Sequence, residues 1–157
     1  MGRKRKGRPP AGFSLPELTI VVLIIGIFAA VTIPKYGDST SRFRAEAAAK
    51  RIAADLMYAR QVAMNQGTSQ PVTFAISTNS YSMPNAPDPN RSAFAYSVNL
   101  SSTAYPATIL AADFGGAASV TFDIHGQANA AGYVTIESDV YQKIIELDAA
   151  TGRATIQ

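Results

Sequence analysis

The chain has no cysteine, which excludes a disulfide framework, a thiol nucleophile and a Cys-ligated zinc or iron–sulfur centre. It has one histidine, His125, too few for a multi-histidine metal site. Charged residues are scarce at 16% beside 47% apolar ones, so this is not a disordered acidic or basic polymer. A length of 157 residues suits one compact domain with appendages. No Gly-x-Ser-x-Gly elbow and no phosphate-binding glycine loop occurs. Asp88, with Asn85 and Asn90, offers oxygens to a calcium ion, but one carboxylate is too few and the spaced acidic pattern is missing. Asp123 and His125 would share a face if their segment were a strand, yet no nucleophile accompanies them. The residues therefore predict no enzyme activity, no catalytic residue, no metal and no cofactor.

What charge there is lies unevenly. Arg3, Lys4, Arg5, Lys6 and Arg8 stand within the first twelve residues, without an acid among them. From Phe13 onward, nine of the 14 Lys and Arg face all 11 Asp and Glu, a formal balance of −2. The net charge of +3 is thus the property of a leader, and it gives no argument for nucleic-acid binding by the rest of the chain.

The leader is followed by FSLPELTIVVLIIGIFAAVTI, residues 13–33, in which Glu17 is the sole charge. A bilayer core needs roughly 20 mostly apolar residues as helix, so this stretch predicts a single span. Preceding basic residues hold the N-terminus in the cytoplasm and send everything after Pro34 across the membrane. The far end, Thr32 to Lys35, lacks the small-x-small pattern of a secretory cleavage site. Glu17 does not suit a plain anchor, because a carboxylate within an apolar span is costly and wants a partner. Its own segment has no Lys, Arg or His. A cut after Gly12 would give Phe13 a free ammonium able to neutralise it; the alternative is a carboxylate solvated or protonated at the interface.

Gly12-Phe13-Ser14-Leu15-Pro16-Glu17-Leu18, after a short basic leader and before an apolar helix, resembles the class III signal of type IV pilins and pseudopilins. The resemblance implies cleavage after Gly12 by a prepilin peptidase and N-methylation of Phe13. It implies a helix that anchors the subunit in the inner membrane and later packs in a filament, registered by Glu17 on the Phe13 amine of an adjacent subunit. Pro34 falls where pilins commonly kink this helix. Membrane lipid around residues 13–33 and other major or minor pilins or pseudopilins are the partners implied.

Past Pro34, the residues Gly37, Asp38, Ser39 and Thr40 predict an interruption with competent N-caps. A second, amphipathic helix is then expected to about Asn65, with Ala45, Ala49, Ile52, Leu56, Ala59 and Ala63 forming one apolar stripe. Gln66-Gly67 ends it. Beyond that the period falls to two. Strands are expected around Val72–Ile76, Phe94–Leu100, Val120–Ile124, Tyr133–Ile136, Tyr141–Leu147 and Arg153–Ile156. Pro84–Asn90 reads as a loop, Gly115-Gly116 as a turn and Asp148–Gly152 as a hairpin tip. The expected fold is α+β and type IV pilin-like: a long N-terminal helix, half transmembrane and half amphipathic, packed on an antiparallel sheet. The divisions are leader 1–12, apolar helix 13–36, amphipathic helix 37–66 and periplasmic β-rich domain 67–157.

The segments Leu56–Ala63, Phe122–Gly126 and Ala150–Arg153 resemble the GspH/FimT group of minor pseudopilins. That resemblance implies a structural subunit near the tip of a type II secretion pseudopilus, or else a minor pilin of a type IV pilus engaged in DNA uptake. For the latter, Arg153 is the candidate DNA contact; the second arginine of that pattern is replaced here by Thr155, and Asp139, Glu146 and Asp148 lie nearby in sequence, which argues against nucleic acid as a partner.

Overall fold

The computed structural model describes residues 12–157, without the side chains of residues 30–38 and Ser92. The expected leader therefore lies outside the described residues, apart from Gly12. Helix α1 spans Leu15–Gln66 as one element of 52 residues. It is helical straight through Pro34, Gly37 and Asp38, so the interruption expected there, with its new N-cap, is absent. A proline inside a helix forfeits one backbone bond, and a helix already propagating on both sides can absorb that loss. Contacts divide the chain into two units, Met1–Asp38 and Ser39–Gln157. Among the described residues, no helix is long and apolar enough to cross a membrane.

In the first unit, every described side chain from Phe13 to Ala29 is exposed.

The second unit is built on the remainder of α1. Its inner face carries Ala45, Ala48, Ala49, Ile52, Leu56, Ala59 and Ala63, all buried. Five alanines in that stripe allow sheets to approach the helix closely, while Ile52 and Leu56 fill the space between. Gly67, at φ +62, ends the helix in the left-handed conformation that glycine adopts without a Cβ penalty.

Eight strands follow: β1 Gln70–Ala75, β2 Ser80–Asp88, β3 Arg91–Asn99, β4 Thr108–Asp113, β5 Ser119–Phe122, β6 Gly132–Ser138, β7 Tyr141–Leu147 and β8 Ala154–Ile156. They form two four-stranded antiparallel sheets, ordered β3-β2-β1-β5 and β4-β6-β7-β8, where a single sheet is expected from the sequence. The alternation along β6 and β7 places Val134, Ile136, Ile145 and Leu147 inward. These join Val72, Phe74, Tyr81, Met83, Val120 and Phe122 of the first sheet in one core against α1. Phe74 stacks on Phe114 with centroids 5.7 Å apart.

The segment Pro84–Asn90 is mostly strand, not loop. Strand β2 outruns β1, with which it pairs only from Ser80 to Ser82, and its ladder to β3 breaks between Met83 and Pro87. Pro84 thus sits in an irregularity where its missing N–H is not required. Strand β4 is unforeseen by the sequence; its alanines have little strand propensity, and a register shift between Ile109 and Ala111 spoils the alternation.

Candidate functional site

Two parts of the chain carry the residues singled out by sequence. The first is the helix start. Gly12, Phe13 and Ser14 precede α1 in non-helical backbone. Ser14 occupies the N-cap position: its carbonyl accepts from the amides of Glu17 and Leu18, each at 3.1 Å. The Ser14 amide in turn donates to Glu17 Oε2 at 3.4 Å. Ser-x-x-Glu is one arm of a capping box, in which a carboxylate three residues in reaches back to an orphan N–H. Pro16, in the first turn, needs no donor. Glu17 thus has an intrachain partner that is not a cation, and the spacing of Ser14 and Glu17 signals it. The helix dipole also favours an anion there. Phe13, adjoining the bond expected to be cut, is 80% exposed.

The second part is a junction at the far end of the domain helix, where the segments Leu56–Ala63, Phe122–Gly126 and Ala150–Arg153 meet. Arg60 Nε donates to the Gly126 carbonyl at 3.0 Å. Gly152, at φ +61, packs so closely that a Cβ there would strike the Gly126 carbonyl oxygen and approach Arg60 Cδ at 3.0 Å. Each turn is locked by its own acid. Asp123 Oδ1 accepts from the amides of His125 (2.9 Å) and Gln127 (2.8 Å). Asp148 Oδ1 accepts from the Thr151 amide and hydroxyl, both at 2.7 Å. The Thr151 hydroxyl, first, then its amide, hold the Asp148 carboxyl below the usual carboxylate range. The Ala128 amide donates to Ala149 O at 2.9 Å and ties the two turns together.

This geometry gives Asp123 a structural task. It holds the backbone of His125, not its imidazole, and His125 is exposed in a turn beyond the end of β5. Arg153 is exposed too; its backbone carbonyl accepts from Asp148 N at 3.0 Å, and its amide donates to the Thr151 hydroxyl at 3.4 Å. The residues weighed for calcium are used otherwise: Asp88 Oδ1 accepts from the Asn90 amide at 2.8 Å and Oδ2 faces Arg91 at 3.3 Å. The Asn90 amide, above all, keeps the Asp88 carboxyl below its ordinary value. Among the described residues, no group of three or more His, Cys, Asp or Glu could hold a metal ion.

A buried polar cluster escaped the sequence reading. Asp55 Oδ2, on α1, accepts from the hydroxyls of Tyr81 on β2 (2.5 Å) and Tyr96 on β3 (2.8 Å). Arg51 Nη2 donates to the Tyr96 hydroxyl at 3.3 Å, and Arg51 Nε lies 3.7 Å from the carboxylate. Burial, the largest influence, pushes the Asp55 carboxyl up, against the opposing hydrogen bonds of the two tyrosines and the Arg51 charge. The cluster fastens the helix to the first sheet. Nothing local in the sequence marks it, since its partners lie 26 and 41 residues away.

Residues 48–152 match the family model described as "Type II transport protein GspH". The described fold is similar to the crystal structure of the type IV minor pilin FimU of Pseudomonas aeruginosa in two crystal forms. One gives a TM-score of 0.51 at 15% identity over 71% of this chain and 91% of that one; the other gives 0.52 at 17% over 74% and 88%. A fimbrial protein of Pseudomonas aeruginosa is 51% identical over 43 residues, 27% of this chain. That match spans only 28% of the fimbrial protein's own length. With a family model covering most of the chain, and a minor-pilin fold beneath it, the chain belongs to the GspH family of type IV pilin-like proteins.

Proposed function

We propose that this chain is a structural minor pseudopilin of a type II secretion system, assembled near the pseudopilus tip to support protein secretion. One observation carries the reading: a Gly12-Phe13 pair stands immediately before a helix whose described side chains are exposed on every side through Ala29. A helix apolar all round is stable only when lipid or other helices cover it. In this reading the prepilin peptidase cuts after Gly12 and methylates Phe13. Residues 13–33 then hold the subunit in the inner membrane, N-terminus cytoplasmic and domain periplasmic, until it is extracted into a filament. Pro34 is the site of a kink. The Glu17 carboxylate, capping its own helix before cleavage, registers each subunit on the Phe13 amine of a neighbour, because an unpaired buried charge costs far more than a paired one. The mechanism is assembly with other pilin-like subunits, without an enzymatic step.

A second reading is a minor pilin of a type IV pilus, with Arg153 as a DNA contact. The likeness to a minor pilin and to a fimbrial protein favours it. The secretome of a strain lacking the gene separates the two. Loss of extracellular proteins, with their accumulation in the periplasm, supports the secretion reading. An unchanged secretome with lost piliation or DNA uptake supports the other.

A further inference from the structure

Each of the two sheets has two edge strands, and three of those edges are closed or short. Along β5, Asn129 closes the ladder: its Oδ1 accepts from the Thr121 amide at 2.8 Å, and its own amide donates to the Thr121 carbonyl at 2.9 Å. On β4 the Ile109 amide donates to Asn79 Oδ1 at 3.0 Å, and a register shift follows before Ala111. Strand β8 has three residues. Strand β3 is different. It runs nine residues, pairs with β2 alone among the described residues, and carries neither charge nor proline from Ala93 to Asn99. Proteins ordinarily blunt such an edge with charge, proline, a bulge or a cover. Its register shifts fall toward the hairpin, at Ala95 and before, so Tyr96 to Asn99 is regular. The open groups can be placed there. The Leu100 amide donates to the Asn79 carbonyl at 2.8 Å, and the ladder continues through Tyr81↔Val98, Ser82↔Ser97 and Met83↔Tyr96. By antiparallel alternation Val98 and Tyr96 bond β2, and the N–H and C=O of Ser97 point to the open edge.

We propose that this edge receives the same edge of a second copy of the chain, antiparallel about a two-fold centred on Ser97. In that register the edge is its own complement. Ser97 meets Ser97 of the copy, and each amide donates to the other's carbonyl. Tyr96 stands opposite Val98 of the copy, an aromatic–β-branched pair made twice, on the face that joins the core against α1. Asn99 stands opposite Ala95, so no like charges meet. The outer face matches as well. Ser119, Thr73, Ser82 and Ser97 are register partners across β5, β1, β2 and β3, a row of hydroxyls without a charge or a bulky group. Two-fold pairing runs that row into the same row of the copy, and the two four-stranded sheets become one. An isologous contact closes on itself. It also sets the two domain helices antiparallel, whereas a filament repeats one direction. The pair is therefore a state of the free chain and goes beyond the assembly reading above. A single strand pair lies at the small end of protein interfaces, so the dimer exchanges with monomer and is best seen by trapping.

The chain has no cysteine, so one introduced thiol reports on one position. The full chain is purified in detergent as Ser97→Cys and as Thr73→Cys, the second on the same outer face but inside the sheet, and both are oxidised at equal concentration. Opposed residues of a hydrogen-bonded pair have Cα atoms about 5.5 Å apart, within the roughly 4.4–6.8 Å that a disulfide spans. Ser97→Cys should form the disulfide dimer at least ~10-fold faster than Thr73→Cys. A mixture of Ala95→Cys and Asn99→Cys chains should give the mixed dimer ahead of either homodimer, which fixes the antiparallel register. Equal rates for Ser97→Cys and Thr73→Cys, or homodimers in excess of the mixed dimer, overturn the proposal. Trapping of a different polypeptide in place of the copy overturns it too. Ser97→Pro is the second variant. It removes an N–H that β2 does not use, so it should keep the parent's thermal midpoint and, combined with Ala95→Cys and Asn99→Cys, abolish the mixed dimer. Persistence of that dimer contradicts pairing through the edge.

Discussion

The Tyr81 hydroxyl donates to the Asp55 carboxylate at 2.5 Å, and through this bond the middle of the helix is fastened to the second strand. The carboxyl is held above its usual range, chiefly by burial. The folded state accordingly prefers the protonated acid. That preference stabilises fully below the unfolded-state pKa of about 3.9 and is lost as pH rises through the higher folded-state value. Asp55→Asn keeps an acceptor for both tyrosines and removes the titration. The unfolding free energy of the parent minus that of Asp55→Asn should fall as pH rises across this window, measured by denaturant titration of the full chain. A flat or rising difference contradicts the assignment. Tyr96, raised to about 12 mainly by burial and then by Asp55, should ionise late in a spectrophotometric titration, and earlier in Asp55→Ala.

Gly152→Ala should be among the most damaging single-methyl changes in the domain. It strains a left-handed backbone, costing about 1–3 kcal/mol, and drives a Cβ into the Gly126 carbonyl, which Arg60 also holds. Gly67→Ala is the control. Its φ is +62, but no atom lies within 4 Å of the added Cβ, so it should cost only about 1–2 kcal/mol. Equal losses in thermal or chemical unfolding would show that the junction is not closely packed.

This junction also shows how far the sequence could be read. Arg60, Gly126 and Gly152 stood in three segments recognised by resemblance, but nothing in their spacing says that they touch. Their contact is a product of chain return over 66 residues. The helix end at Gly67 and the full extent of β7 followed from local chemistry, because a glycine cap and alternation act within a few residues. Where local signals and pairing disagreed, pairing won. Pro84 and Pro87 read as loop residues, yet β2 passes through them where it has no β1 neighbour to satisfy. Asp55 lies off the apolar stripe of its helix, and only the return of Tyr81 and Tyr96 makes it a latch.

Glu17 has two separable properties, a capping acceptor and a charge. Glu17→Gln retains an acceptor competent in a capping box and removes the charge; Glu17→Ala removes both. Registration on a neighbour's amine predicts that both variants are cleaved and both assemble poorly. Assembly of Glu17→Gln at the parent level, with failure of Glu17→Ala, would reduce Glu17 to a helix cap.

Arg153 is exposed in a turn whose other anchored residue is the acid Asp148. Arg60, the cation of the same junction, has its Nε engaged by the Gly126 carbonyl, and so few cations beside an acid give little phosphate affinity. The full chain in detergent should show no salt-sensitive retardation of duplex DNA, and Arg153→Ala should change nothing. Binding at low salt that disappears in Arg153→Ala would favour the DNA-uptake reading.

The most direct test of the central claim is the intact mass of the chain recovered from cells that contain a prepilin peptidase. A pilin-like assembly subunit predicts a mature protein that begins at Phe13 and carries one added methyl group. A mass that retains residues 1–12 would contradict the account at its root, since Phe13 could then offer no amine to a neighbour's Glu17.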